Sequence, residues 1–394
     1  MKTRFAAVTL ALAGAIGAAL PAASSAQERL KIGFLSTTTG PAAFLGREMV
    51  NGAQLAIEQM GGRMGSLSVD LIVEDDQADP KVGVQKTRKL LDSDKVNLLS
   101  GLIFGNVTAA VAGIAKQAGV MTVATVGSIP PLMGEGCDPN VFSVAWTIDS
   151  NYEALGTHLN QAGVKSIVLM APNYVAGKLV QAGLARTYKG QVMAEIFTKL
   201  DQPDYSVEIA DVRAKKPQAV VAFYPGGMGI NFMKQYKASG LMDSIPVFAS
   251  VFLADESLFP ALGDIPLGMI TTSNWNPELD NAANKAFVAA YVKKHNARPT
   301  SFAAMGYDTM NLIASAMRDA KSLPSQDALR AALRKANFQS VRGSFRFNNN
   351  HFPVQAYYLN QVAKDSSGKL YNKLLGVAQQ DVSDVFAAKC PMKW

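Results

Sequence analysis

Short apolar runs alternate with amphipathic stretches along most of the chain, a rhythm that predicts β-strands separated by α-helices. Residues 30–36 read as a buried strand, followed by a helix over 42–60 that stops at Gly61-Gly62. The next strand is 68–74. Asp79-Pro80 then opens a helix, with a carboxylate placed to accept from free amides and Pro at the first helical position. Short strands at 97–101 and 120–125 flank a helix over 107–118. Around Ala145-Trp146-Thr147 the alternation restarts, with helices at 151–162, 177–188, 205–214 and 228–239. Between and after them come strands at 166–170, 191–198, 219–223, 247–250 and 269–273. Such alternation implies parallel sheets covered by helices on both faces, and two consecutive units imply two similar α/β lobes. Helices then follow at 281–296, 302–320 and 325–336, and a strand pair at 344–347 and 354–362 is joined through Asn348-Asn349-Asn350. Helices then strands, after a finished α/β block, suggest that the chain crosses back between lobes. No short-period repeat and no low-complexity segment interrupts this order.

The first residues depart from the rhythm. Met1-Lys2-Thr3-Arg4 is positive, 5–20 is small and apolar, and Ser24-Ser25-Ala26 precedes Gln27, the layout of a cleaved secretory leader over 1–26. The apolar run, about sixteen residues, is short for a bilayer-spanning helix. No Cys stands at the cleavage point for lipid attachment. An exported, periplasmic protein is expected, and what remains of the 394 residues suffices for two domains.

Apolar residues make up 48% of the chain and charged residues 18%, as in globular proteins. The net charge is +7, and losing Lys2 and Arg4 with the leader lowers it by two. The remaining positives are scattered (Lys86-Arg88-Lys89, Lys215-Lys216, Lys293-Lys294), so no phosphate-tracking face and no nucleic-acid partner are expected. The two cysteines, Cys137 and Cys390, form an isolated pair, most simply a disulfide in an oxidising compartment; two unrelated buried thiols are the alternative. Closing so long a loop stabilises by something on the order of 4–5 kcal/mol in the chain-entropy model. His158, His295 and His351 show no ligand spacing with each other or with either Cys, so no metal site is expected.

Catalytic chemistry is poorly represented. Tyr224-Pro225-Gly226-Gly227-Met228-Gly229 fits neither the dinucleotide nor the phosphate-loop spacing and reads as a tight strand-to-helix turn. Glu74-Asp75-Asp76 has no identifiable opposing group and reads as loop solvation and helix capping. There is no Gly-x-Ser-x-Gly elbow. The chain is expected to be no enzyme and to need no cofactor. More informative are three Gly-bearing loops at strand ends: 37–41, 104–106 and 126–128. In open α/β sheets ligands collect at that edge, where helix N-termini present free amides to anions.

Together with other landmarks these loops resemble the type I periplasmic solute-binding proteins of ABC transporters, in the branched-chain amino-acid-binding group. The resemblance is carried by Gly40-Pro41-Ala42-Ala43-Phe44-Leu45-Gly46, Gly61-Gly62-Arg63-Met64-Gly65, Asp76-Gln77-Ala78-Asp79-Pro80, Asn173-Tyr174-Val175-Ala176-Gly177 and the stretch 299–307. It implies two Rossmann-like lobes joined by a three-strand hinge near 145–147, 275–277 and 339–343, closing over a solute for an inner-membrane ABC permease. The lobes implied are 27–145 with 277–340, and 146–276 with 341–380. A tail over 381–394 would be tied to the first lobe by Cys137–Cys390, and the protein would act as a monomer. Gly105 and Asn106 fall where the family offers amide and side-chain donors to a ligand carboxylate, and Val126 and Ser128, with Gly127 between them, fall where a backbone carbonyl and a hydroxyl line the same pocket. Tyr174 falls on an aromatic of the second lobe, and Tyr224 lies at or beside another.

The departures narrow the ligand. Where the group carries an acid that pairs with a ligand ammonium, this chain has Val251-Phe252. Gly105 replaces a serine, and Leu45 replaces an aromatic residue. Anion donors remain without a cation partner, and a buried ammonium without a carboxylate is strongly disfavoured. Phe44, Phe104, Tyr174, Tyr224 and Phe252 would supply flat apolar walls. The expected ligand is an aromatic carboxylate of benzoate or phenylpropenoate type. A branched-chain or other apolar amino acid is the alternative, as is ligand presentation to a sensory receptor.

Overall fold

The computed structural model describes Met1 and residues 28–40, 42–127, 130–200 and 202–393. Apart from Met1, the leader expected over 1–26 lies outside the described residues. The first run of elements is β1 (Arg29–Ser36), α1 (Ala43–Gln59), β2 (Arg63–Met64), β3 (Leu67–Asp75), α2 (Pro80–Arg88), β4 (Leu98–Gly101), α3 (Gly105–Gln117), β5 (Met121–Ala124), α4 (Pro130–Met133) and β6 (Val141–Ser143). Its strands form a six-stranded sheet in the order β2-β3-β1-β4-β5-β6. All neighbours are parallel except the short β2, antiparallel to β3. The second run is α5 (Ile148–Gln161), β7 (Ser166–Pro172), α6 (Val175–Thr187), β8 (Gln191–Thr198), α7 (Ser206–Lys215), β9 (Ala219–Ala222), α8 (Gly227–Ala238), β10 (Val247–Ser250), α9 (Phe259–Leu262) and β11 (Ile270–Ser273).

The chain then returns. α10 (Ala282–His295), α11 (Ser301–Met317) and α12 (Gln326–Arg334) bury Phe287, Tyr291, Phe302, Met310 and Leu333 in the same core as Ile32, Phe34 and Leu98 of the first sheet. It crosses again into β12 (Arg346–Phe347), β13 (Pro353–Lys364) and β14 (Leu370–Val382). These complete the second sheet, β12-β13-β11-β10-β9-β7-β8, with β13 antiparallel to β11 and β14 antiparallel to β13. The architecture is the mixed α/β, two-lobed one expected.

Local chemistry explains the elements. Asp79 caps α2, accepting from the amides of Lys81 at 2.6 Å and Val82 at 3.3 Å, with Pro80 following it. Gly52 of α1 and Gly306 of α11 lie so close to the facing helix that a Cβ on either would overlap a carbonyl oxygen, of Ala303 and Met49 respectively. The acidic trio serves a neighbouring loop. Asp75 accepts from the Thr38 amide at 2.9 Å and Asp76 from the Thr37 hydroxyl, while Glu74 pairs with Lys86 and Lys89. The longest strand, β14, went unread in the sequence and runs into the expected tail. It is an edge strand on which only Asn372 is buried, so its apolar pattern is weak.

Cys137 and Cys390 are joined, with Cα atoms 5.7 Å apart across 253 residues of chain. Nearby, buried His351 stacks on Phe142 at 4.0 Å and accepts from Arg334 Nε at 2.9 Å. Burial, aided by the Arg334 charge, pushes its imidazole down from 6.5 to about 4.

Between the sheets the chain passes through 144–147, 274–281 and 335–345. A fully buried ion pair laces them: Arg342 Nε donates to Asp308 at 3.0 Å, and Arg342 Nη1 to the carbonyl of Val144 at 2.7 Å and to Gln355 Oε1 at 2.6 Å. Asn274 also donates to Gln355 Oε1 at 3.2 Å, and Ser340 and the Val341 amide donate to Asp308. Burial pushes the Asp308 carboxyl up and the Arg342 guanidinium down, each opposed by the charge of the other.

Two outcomes follow from these contacts. Asp308→Ala strands a buried guanidinium and should cost about 3–5 kcal/mol in urea unfolding, with part recovered when Arg342→Met is added; a loss below about 1 kcal/mol would show that the pair does not hold the crossing. Because the folded-state pKa of His351 lies below its unfolded value, its contribution is intact above pH 6.5 and lost as pH falls toward about 4. His351→Gln should therefore flatten the fall in stability between pH 7 and pH 4.5, and equal slopes for the two proteins would sink the assignment.

Candidate functional site

The carboxyl ends of the parallel strands in both sheets face one cleft of about 390 Å³. From the first lobe it is lined by Leu45, by Ile103 to Asn106 after β4, and by Val126-Gly127 after β5. From the second come Tyr174 after β7, Phe223 and Pro225 after β9, and Phe252 after β10, with Trp146 from the first crossing segment. Two helices begin here. α3 starts at Gly105 after the extended Phe104, and α6 at Val175 after the extended Tyr174, neither with a side-chain oxygen capping its first amides. The first-turn N–H groups of a helix have no partner within it and carry its partial positive charge, so both starts suit an anion.

Aromatic side chains make the apolar wall. Trp146 meets Phe252 at 5.3 Å and Phe302 at 5.8 Å, and Phe252 meets Phe302 at 6.0 Å, so hinge, second lobe and first lobe share one cluster. Phe223 stands edge-on to Phe252 at 5.5 Å and lies parallel to Tyr174 at 6.4 Å. Among the described residues no acidic or basic side chain lines the cleft. The acids that follow Phe252 most closely in sequence, Asp255 and Glu256, border a separate small hollow with Val251 and Trp275. Asp255 is spent on the Ser257 amide at 3.0 Å and hydroxyl at 2.6 Å, and Glu256 accepts from the Asn372 amide at 3.0 Å. Burial pushes both carboxyls up, Glu256 to about 8. A larger hollow of about 730 Å³, bordered by Arg298, Asp365 and Glu256, shares no lining residue with the cleft.

Of the residues named from sequence, Leu45, Phe104, Gly105, Asn106, Val126, Gly127, Tyr174 and Phe252 come together on this wall. Three stand apart. Phe44 is half-buried against the main cores of both lobes. Tyr224 is enclosed in the second lobe, 5.0 Å from both Tyr205 and Phe232, and accepts from Thr198 at 3.4 Å. Val251 lines the small hollow beside Asp255. Ser128 lies outside the described residues. Phe223 and Trp146 went unnamed as wall residues. Neighbours on an extended segment face opposite ways, so the cleft takes Phe223 and the core Tyr224. Trp146 was legible only as a hinge residue. The turn after Tyr224 holds Gly226 at φ 67°, a conformation suited to glycine.

A family described as periplasmic binding protein matches residues 29–369. The chain belongs to the periplasmic binding protein family. Among the relatives of this periplasmic binding protein is the "Leu/Ile/Val-binding protein homolog 6" of Brucella melitensis biotype 1, 27% identical, covering 90% of this chain and 93% of the relative. A solute-binding protein of an ABC transporter from R. palustris, solved in complex with benzoate, is 30% identical with a TM-score of 0.83 over 91% of this chain and 98% of its own. Another, from Rhodopseudomonas palustris BisB5 in complex with 3,4-dihydroxy benzoic acid, is 28% identical with a TM-score of 0.85 over 91% and 99%. The chain is thus an ABC-type solute-binding protein of the branched-chain amino-acid group and no enzyme.

Proposed function

We propose that this protein captures an aromatic carboxylate in the periplasm, closes its lobes over it and delivers it, as a monomer, to an ABC permease of the inner membrane. The first lobe would comprise 27–145 with 277–340 and the second 146–276 with 341–380. The observation that carries the reading is the cleft's composition: two uncapped helix starts and aromatic walls, with no carboxylate among the described lining residues to pair with an ammonium. A carboxylate gains the charge-assisted donors it needs, while an amino acid would bury an unpaired ammonium. Two relatives hold benzoate and 3,4-dihydroxy benzoic acid, which supports the same class. The lip residues Val175 and Leu200 are 59% and 52% exposed, apolar surface that lobe closure would cover.

The name of the Brucella relative favours a second reading, a branched-chain amino acid. A thermal-shift screen of the purified protein separates the two. A ligand at a hundred times its dissociation constant adds about 2.7 kcal/mol of apparent stability. Benzoate or a phenylpropenoate should raise the melting temperature by several degrees, and a response to leucine or valine alone would remove the aromatic reading. Within that reading, Phe252→Ala is expected to weaken binding by about tenfold, through lost ring contact. Tyr224→Phe, which alters only a core hydroxyl, should leave affinity unchanged by calorimetry; the reverse pattern would place the ring elsewhere.

A further inference from the structure

We infer that one ordered water molecule is built into the junction between the lobes, held in the small hollow beside Asp255 and donating a hydrogen bond to Asn372 Oδ1. The inference does not depend on which solute the cleft takes. The hollow measures about 10 Å³, room for one water and little more. Glu256, which follows β10, and Asn372 of β14 border it from the second lobe. Thr300 and Ser301 border it from the start of α11, whose apolar residues pack in the core of the first sheet. Trp275 and Asn276 border it from the second crossing segment. It shares Glu256 and Thr300 with the hollow of about 730 Å³, which gives a water a route to solvent.

Asn372 is the residue that requires a guest. It is 6% exposed, and no described residue donates to its Oδ1. Turning the amide round brings no relief, because its Nδ2 donates to the Ala254 carbonyl at 2.9 Å and so fixes which atom is the oxygen. The backbone of Asn372 is committed too, its N–H to Glu256 Oε1 at 3.0 Å and its carbonyl to Asn276 Nδ2 at 2.9 Å. Neighbouring side-chain donors serve other partners. Asn276 Nδ2 also donates to Asn360 Oδ1 at 2.8 Å, Asn360 Nδ2 to Ser273 Oγ at 2.9 Å, and Trp275 Nε1 to Asn284 Oδ1 at 2.7 Å. A buried amide oxygen left unpaired is costly, so the guest must be a donor. Water donates to Oδ1 and finds further partners in the carboxyl of Glu256 and the hydroxyl of Ser301. Burial pushes the carboxyls of Asp255 and Glu256 up, which lessens the need for a cation in the hollow. A water here keeps polar groups of both lobes satisfied without a direct bond between them.

A crystal structure of the unliganded protein at atomic resolution tests this. One peak should lie about 3 Å from Asn372 Oδ1, with Glu256 or Ser301 as a second neighbour. In solution, magnetic relaxation dispersion of the water oxygen should count one fewer long-lived water in Val251→Ile, whose added methyl group enters the hollow. The urea midpoint of that variant should fall as well, because Oδ1 is left unpaired. An empty hollow in the density, or equal counts of long-lived water in the two proteins, would overturn the inference. So would a peak ringed by six or more oxygens at about 2.4 Å, the mark of a metal cation. Should Val251→Ile not fold, the crystal of the unaltered protein decides alone.

Discussion

The buried pair between Arg342 and Asp308 sits where the chain passes between its two lobes, and the rest of the architecture is arranged around it. Arg342 arrives on the third crossing segment, and Asp308 lies within α11 of the first lobe. Through Val144 and Gln355 the guanidinium also reaches the first crossing segment and β13 of the second lobe. Buried charges are tolerated only when both partners are present and further hydrogen bonds satisfy them, which Ser340 and the Val341 amide supply at Asp308. Such a network ties the third crossing segment to the first and to both lobes.

The ligand cleft adjoins this crossing. Trp146 belongs to the first crossing segment and to the cleft wall, and it touches Phe252 of the second lobe and Phe302 of the first. A ring lying against Trp146 would therefore touch a segment that both lobes contact. The starts of α3 and α6 lie on either side of the same cleft, and under the proposed reading lobe closure would bring both to one carboxylate. Attraction at one end and dispersion at the other would then make the solute itself the bridge across the cleft.

Much of this was legible in the chain because its causes are local. The capping of α2 by Asp79-Pro80 and the strands at 191–198 and 247–250 were read where they stand, since their signals lie within a few residues. The Gly-bearing loops announced the binding edge, because glycines and small polar residues at strand ends are short-range features. Other elements left faint traces. β14 is solvated on its outer face and shows no clean alternation, and the two-residue β2 and three-residue β6 are too short to set a period.

By itself, then, the sequence determined the alternation of strands and helices, the two-lobed class, the cysteine pair and the absence of an acid at 251–252. What only the tertiary structure decided is which side chains share a space. Phe223 rather than Tyr224 reaches the cleft, Val251 turns toward Asp255, and Asp308 meets Arg342 across 34 residues of chain. The physical reason is that facing direction and pairing depend on how distant segments close on one another, and no local propensity encodes that closure.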